Sequence, residues 1–325
     1  MIKNILFYNL YHIGDTFFAQ PFIKEFCKLN IDYNISLFVN YNWGLYKDIE
    51  NLNIIDIDDN YRDLNFSPHN FTPENLINYN DTYYSILNTI SNKDIYKVIN
   101  DDTLCINTWI GSWNYVNQPV SYECSPININ NRFIDIIKDI NNNYNLDLKY
   151  NTPEILLPIL PKMTVDFNKT TKSIFYYNYF PRSGQVFPLD FSHHDMIIQH
   201  LSSKFKDYII YIPFKSNIQC ENVVYTRDKF NIIETPSCKN VIENVHIAML
   251  CDIVMSYDIG ACFYYCNSLI NSFKGQWYHV GVTSLYFTEM FNSHKNENVK
   301  FIQASNYGDV INLIDRLLYP MLSDC

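Results

Sequence analysis

The chain has 325 residues, a hydrophobic fraction of 47%, an aromatic fraction of 16% and a formal net charge of −10. That length and apolar content suit two domains with real cores and exclude a disordered chain. An acidic chain with no Lys/Arg cluster excludes nonspecific nucleic-acid binding and a polybasic membrane anchor, and no run of about 18 apolar residues is present to span a bilayer.

Residues 3–10 (KNILFYNL) read as a strand, apolar toward its end as in a parallel sheet covered on both faces. Asn4 and Asn9 interrupt this run, so it does not read as a secretory leader. With nine Cys, an odd number, and no C-x-x-C pair, reduced thiols and a cytoplasmic location are expected. After a loop at 11–15, residues 16–29 carry Phe17, Phe18, Phe22, Phe26 and Leu29 at helical spacing, with Pro21 near the helix start. Strands follow at 33–39 and 53–57, an order that implies right-handed crossovers onto a parallel sheet. A further strand at 103–107 opens into the loop TWIGSWN, and residues 132–140 read as a helix. The three prolines of 152–162 and the polar stretch after them read as a joint between domains.

The pattern then restarts. A strand at 173–177 and a loop at 178–188 lead to a helix at 192–205, with Ser192 as its N-cap and Ile197, Ile198, Leu201 and Phe205 facing inward. Strands are expected at 208–212, 223–226, 232–235, 253–256, 276–280 and 300–303, and helices at 241–251, 261–270 and 310–318. The expected fold is α/β, with two Rossmann-like domains, 1–160 and 161–325, facing an interdomain cleft.

Three loops carry candidate chemistry. In YNLYHIGDTFFAQPFIK a buried strand delivers His12, Gly14 and Asp15 just as a helix begins. Asp15 there stands at the carboxyl end of a strand, where open α/β sheets place ligands, or it simply caps the helix. In MSYDIGACFY a strand ends in Asp258, Ile259, Gly260 and Ala261, and the free N–H groups of a following helix suit a diphosphate. In NYFPRSGQ, Arg182 with Ser183, Gly184 and Gln185 forms a phosphate clasp or a surface turn. Trp109 and Trp113 offer an aromatic platform for a sugar, or a packed loop.

Other motifs point elsewhere. Asp56, Asp58 and Asp59 resemble a D-x-D metal clasp but read better as an ordinary strand end. His193, His194 and Asp195 read as polar decoration of a helix start, since neighbouring histidines point to different faces. Cys262 and Cys266 share a helix face but lack partners at ligand spacing, so no metal site is expected. There is no G-x-G-x-x-G, P-loop or G-x-S-x-G, which disfavours NAD, ATP and α/β-hydrolase chemistry.

Taken together in this order, the three loops resemble the heptosyltransferase family, glycosyltransferase family 9, whose members have the GT-B fold. The resemblance rests on Ile13-Gly14-Asp15 with Pro21 six residues after the Asp, on Asp258-Ile259-Gly260, and on the segment 243–258 that leads into it. Ile259 replaces the small hydroxyl residue of the family, and Tyr264 stands where members often have His. The resemblance implies an inverting, metal-independent transfer of a sugar from a nucleotide-diphosphate sugar to a saccharide or glycolipid acceptor, with no cofactor. Asp15 would be the base, and Arg182 and the helix start after Gly260 would hold the diphosphate. Glu221, or Gln219 beside it, would bind the donor ribose, and His12, Trp109 and Trp113 the acceptor. The final helix, about 306–325, would return to the first domain. A sugar-nucleotide-binding protein without activity, or a sugar-nucleotide epimerase, would fit the same fold.

Overall fold

A computed structural model describes residues 1–9, 13–39, 44–56, 96–108, 129–167, 171–178, 189–232, 239–257, 267–281 and 296–318. The chain divides into two compact units, Met1–Pro161 and Lys162–Cys325, so the division falls inside the proline-containing segment.

The first unit opens with β1 (Asn4–Asn9), α1 (Ile13–Leu29), β2 (Asn34–Val39) and β3 (Asn53–Asp56), and continues with β4 (Tyr96–Asn100), β5 (Thr103–Asn107) and α2 (Ile129–Tyr144). Its sheet has the order β3-β2-β1-β5-β4. β1, β2, β3 and β5 run parallel, and β4 is antiparallel to β5. The sequence reading misses β4, whose alternation is confined to Tyr96 and Val98. The core is aromatic: Phe7 meets Phe26 edge-on, and Phe133 of α2 stacks on Phe22. Burial pushes the thiols of Cys27 and Cys105 up to about 12, so neither is a nucleophile.

α1 begins three residues earlier than the periodicity suggests, because Ile13, Gly14 and Asp15 already belong to its first turn. Pro21 therefore lies well inside the helix, not near its start. A proline there has no N–H to return to the carbonyl four residues back. The Tyr46 hydroxyl donates to the Thr16 carbonyl in that turn, supplying an extra bond to the backbone.

Side-chain amides hold the irregular chain that leaves α2. Asn30 brackets Lys149, accepting from its N–H and donating to its carbonyl, and Gln20 does the same to Ile159. Both amides are buried, Gln20 within α1 and Asn30 just after its last residue. The segment is thus strapped along α1, with its backbone polar groups satisfied without regular structure.

The second unit comprises β6 (Ser173–Tyr176), α3 (Phe191–Lys204), β7 (Ile209–Ile212), β8 (Val223–Tyr225), α4 (Thr226–Phe230), α5 (Lys239–Ala248), β9 (Ile253–Tyr257), a 3₁₀ turn (Ser268–Ser272), β10 (Gln276–Gly281), β11 (Val299–Gln303) and α6 (Tyr307–Leu313). A five-residue π-helix, Ile314–Leu318, follows directly. The order is β11-β10-β9-β6-β7-β8, all parallel. Counted from its own first strand this is the 3-2-1-4-5-6 order of Rossmann sheets. Central β9 is buried along its whole length, whereas edge strands β8 and β11 are half exposed, as expected for a parallel sheet covered on both faces.

Three local expectations change. The N-cap of α3 is Asp190, not Ser192: the Asp190 carboxylate accepts from the His193 N–H, the His193 ring accepts the Asp190 N–H, and Ser192 donates to the same carboxylate. Those donors, Ser192 first, hold the Asp190 carboxyl below its usual range. Residues 226–230 are helical, and Ile232 is in no strand. Ile270 lies in the 3₁₀ turn rather than at the end of an α-helix. At the C-terminal end, Asp315 pairs with His200 at 3.0 Å and Lys204 at 3.3 Å, both on α3 of the second unit. Residues 319–325 lie outside the described residues.

Candidate functional site

In each sheet the strand order reverses at one place, between β1 and β5 in the first unit and between β6 and β9 in the second. Crossovers leave such a point in opposite directions, which opens a crevice beyond the carboxyl ends of the two strands. The segments singled out in the sequence follow these four strand ends. His12, Gly14 and Asp15 follow β1, and Trp109 and Trp113 follow β5. Arg182, Ser183, Gly184 and Gln185 follow β6, and Asp258, Ile259, Gly260 and Ala261 follow β9. Gly14 and Asp15 are the second and third residues of α1. Asp15 is therefore within the helix and not its N-cap, a position where an acid is also favoured by the helix dipole. His12, Trp109, Trp113, Arg182–Gln185 and Asp258–Ala261 lie outside the described residues, as do Asp58, Asp59, Cys262, Tyr264 and Cys266.

The described residues around these points are tightly held. Thr108, the last residue before Trp109, is buried, and both its N–H and its hydroxyl donate to the Tyr8 carbonyl, at 3.0 and 3.2 Å. Asn178, the first residue after Tyr177, brackets Phe214: its Nδ2 donates to the Phe214 carbonyl at 2.9 Å, and its Oδ1 accepts the Phe214 N–H at 3.0 Å. The start of the Arg182 segment is thereby tied to the chain beyond β7. Asp195 on α3 accepts from Ser216 and Asn217 in the same stretch.

Glu221 belongs elsewhere. β8 is parallel to β7, so the chain must return to the opposite sheet edge before it can pair. Glu221 lies past that return, two residues before β8, where the Ile210 N–H bonds the Asn222 carbonyl. Glu221 thus stands at the amino end of β8, whereas the other candidate segments follow the carboxyl ends of β6 and β9.

His194 is the residue the sequence reading undervalued. His193 is partly exposed and serves the cap, whereas His194 is 2% exposed and sits in the core. Its Nδ1 lies 2.7 Å from the Tyr176 hydroxyl, which also receives the Tyr257 hydroxyl at 3.1 Å. The available sequence signal was position, since His194, Ile197, Ile198 and Leu201 share one helix face. A second buried histidine, His279, faces Ser256 across β10 and β9, with Nδ1 3.0 Å from the hydroxyl. Trp277 donates to the same hydroxyl at 2.6 Å, so the serine oxygen joins the indole and the imidazole. Burial lowers His279 to about 3. Among the described residues no group of three or more His, Cys, Asp or Glu could hold a metal ion, and no helix is long and apolar enough to cross a membrane.

Two Rossmann-like units, each with one reversal of strand order, define an α/β protein of the GT-B type. The E. coli ADP-heptose lps heptosyltransferase II has this fold: it matches with a TM-score of 0.51 over 98% of this chain and 99% of its own, at 12% identity. The E. coli heptosyltransferase WaaC with ADP-2-deoxy-2-fluoro heptose matches equally, with a TM-score of 0.51, the same coverage and 11% identity. No family model matches the sequence, nor does the sequence of any curated protein.

Proposed function

We propose that the protein is a glycosyltransferase that moves a sugar from a nucleotide-diphosphate sugar to a hydroxyl of a saccharide or glycolipid acceptor, with inversion and without a metal. The observation that carries this reading is the coincidence of the sequence motifs with the strand reversals of a heptosyltransferase-like fold. Residues 1–160 take the acceptor and residues 161–325 the nucleotide. Asp15 accepts the proton of the acceptor hydroxyl as its oxygen attacks the anomeric carbon. The bond to the diphosphate oxygen breaks, and Arg182 with the N–H groups after Gly260 receives the departing charge. Because the WaaC structure contains an ADP-sugar analogue, ADP-linked sugars are the first donors to test.

A thermal-shift panel of ADP, UDP, GDP, CMP and their sugars tests the nucleotide half of the reading. A ligand at 100 times its Kd adds about 2.7 kcal/mol of stability. A chain that no member of the panel stabilises does not use these nucleotide sugars. Transfer that is abolished by EDTA and restored by Mn²⁺ would overturn metal independence. Ile259, in place of the family's small hydroxyl residue, favours a second reading, a nucleotide-sugar-binding protein without activity. Binding without transfer to any acceptor would select it.

A further inference from the structure

Tyr176, His194 and Tyr257 come from three separate elements, and each is at most 2% exposed. Tyr176 is the last residue of β6 and Tyr257 the last of β9. Tyr176 pairs in register with Met255, so Tyr257, two residues on, projects from the same sheet face. His194 comes down onto both from the first turn of α3, with its ring 5.8 Å from each tyrosine ring and edge-on to both. The Tyr176 hydroxyl accepts from Tyr257 and shares a hydrogen bond with His194 Nδ1. The result is a continuous chain linking Tyr257, Tyr176 and His194.

Phenylalanine and leucine would cover this part of the sheet at similar volume. What the polar atoms add is direction: buried hydrogen bonds hold their partners at one distance and orientation, and lose most when one is left unmade. The chain also has a specific location. Asp258 follows Tyr257 directly, and Asn178 follows Tyr176 by two residues. His194 follows the α3 cap Asp190 by four residues, and its N–H donates to the Asp190 carbonyl. Both ends of the stretch containing Arg182 and the start of the one containing Gly260 therefore leave from residues fixed by this cluster.

We propose that Tyr176, His194 and Tyr257 are positioning residues for the nucleotide-diphosphate site, holding the ends of β6 and β9 and the start of α3 at one fixed separation. This rests on the glycosyltransferase reading above. The cluster touches no reacting atom and acts through the loops it anchors.

The test measures Kd for ADP, UDP and GDP by calorimetry on the full chain, with the unfolding transition of each variant recorded alongside. His194→Phe keeps an aromatic ring and removes the hydrogen-bonding nitrogen, and His194→Asn keeps a hydrogen-bonding amide near the Nδ1 position. Losing one such hydrogen bond should raise Kd for the tightest of the three roughly tenfold in His194→Phe, with His194→Asn restoring most of it. Should His194→Phe fail to fold, Tyr257→Phe, which deletes one terminal hydroxyl, carries the test, with a Kd increase of about threefold or more. Wild-type Kd in a folded His194→Phe or Tyr257→Phe protein overturns the proposal and leaves the glycosyltransferase reading standing. So does a His194→Asn protein that binds as weakly as His194→Phe. A wild-type chain that binds none of the three nucleotides overturns both.

Discussion

Tyr8 and Asn107 face each other as register partners at the ends of β1 and β5, and the residue after Asn107 closes the pair by bonding back to the Tyr8 carbonyl. The strand reversal of the first sheet is therefore pinned where two of the candidate segments begin. α1 starts four residues beyond β1, with Asp15 as its third residue.

Asp15→Asn separates the base from a structural acid. Asparagine keeps the size and most of the hydrogen-bonding capacity of the side chain and removes its basicity. The variant is expected to melt within a few degrees of the wild type, bind nucleotide normally and lose about 10²–10⁴-fold in transfer rate. Full activity in a stable Asp15→Asn protein would remove Asp15 from the mechanism.

Arg182→Ala should leave the melting temperature unchanged and weaken nucleotide-diphosphate binding by about 1.5–3 kcal/mol, the scale of a charge-assisted hydrogen bond. Calorimetric titration of both proteins decides it, and equal affinities would exclude Arg182 from the anion site. Asn178→Asp probes the base of the same loop. One carboxylate oxygen can still accept the Phe214 N–H, but the other then faces the Phe214 carbonyl, replacing an attraction with a repulsion. A loss of about 1–3 kcal/mol in urea unfolding at pH 8 is expected, and nucleotide affinity should fall with it.

His279 makes the fold sensitive to acid. In the folded chain burial lowers it to about 3, whereas in the unfolded chain it takes a proton near its ordinary 6.5. Below pH 6.5 the unfolded state therefore binds the extra proton, and stability falls as pH falls toward 3. Between pH 8 and pH 5 this one residue should cost about 2 kcal/mol. His279→Asn, which retains an acceptor for the Ser256 hydroxyl, should lose that share of the pH dependence. Urea titrations of both proteins at the two pH values give the comparison, and parallel pH profiles would refute the assignment.

Gly275 is constrained by space. A Cβ there would lie 2.5 Å from the Asp252 carbonyl oxygen and 2.7 Å from that of Cys251, both backbone atoms that cannot swing aside. Gly275→Ala should therefore cost about 1–3 kcal/mol, as overpacking does. The contact is at the amino ends of β9 and β10, the end of the sheet opposite the proposed nucleotide loops. Nucleotide affinity in the folded fraction should be unchanged, so this variant also serves as the control for stability loss without loss of the site.

The apolar runs of β1, β6 and β9, with the phenylalanine spacing of α1, made two successive α/β halves legible from the sequence alone. Local chemistry sufficed because each signal is short-range: a buried parallel strand is continuously apolar, and Gly and Asp close to the end of such a strand are visible within ten residues. What neighbouring residues cannot encode is which strands lie side by side. Only the tertiary structure decided that β6 and β9, about eighty residues apart, are adjacent, and that the β7–β8 crossover carries Glu221 to the far edge. The same holds for His194. Its sequence neighbours suggest a polar helix start, but its place is set by Tyr176 and Tyr257, because burying an imidazole is tolerable only where groups from elsewhere in the fold meet it, here the Tyr176 hydroxyl at Nδ1 and the Tyr257 ring edge-on.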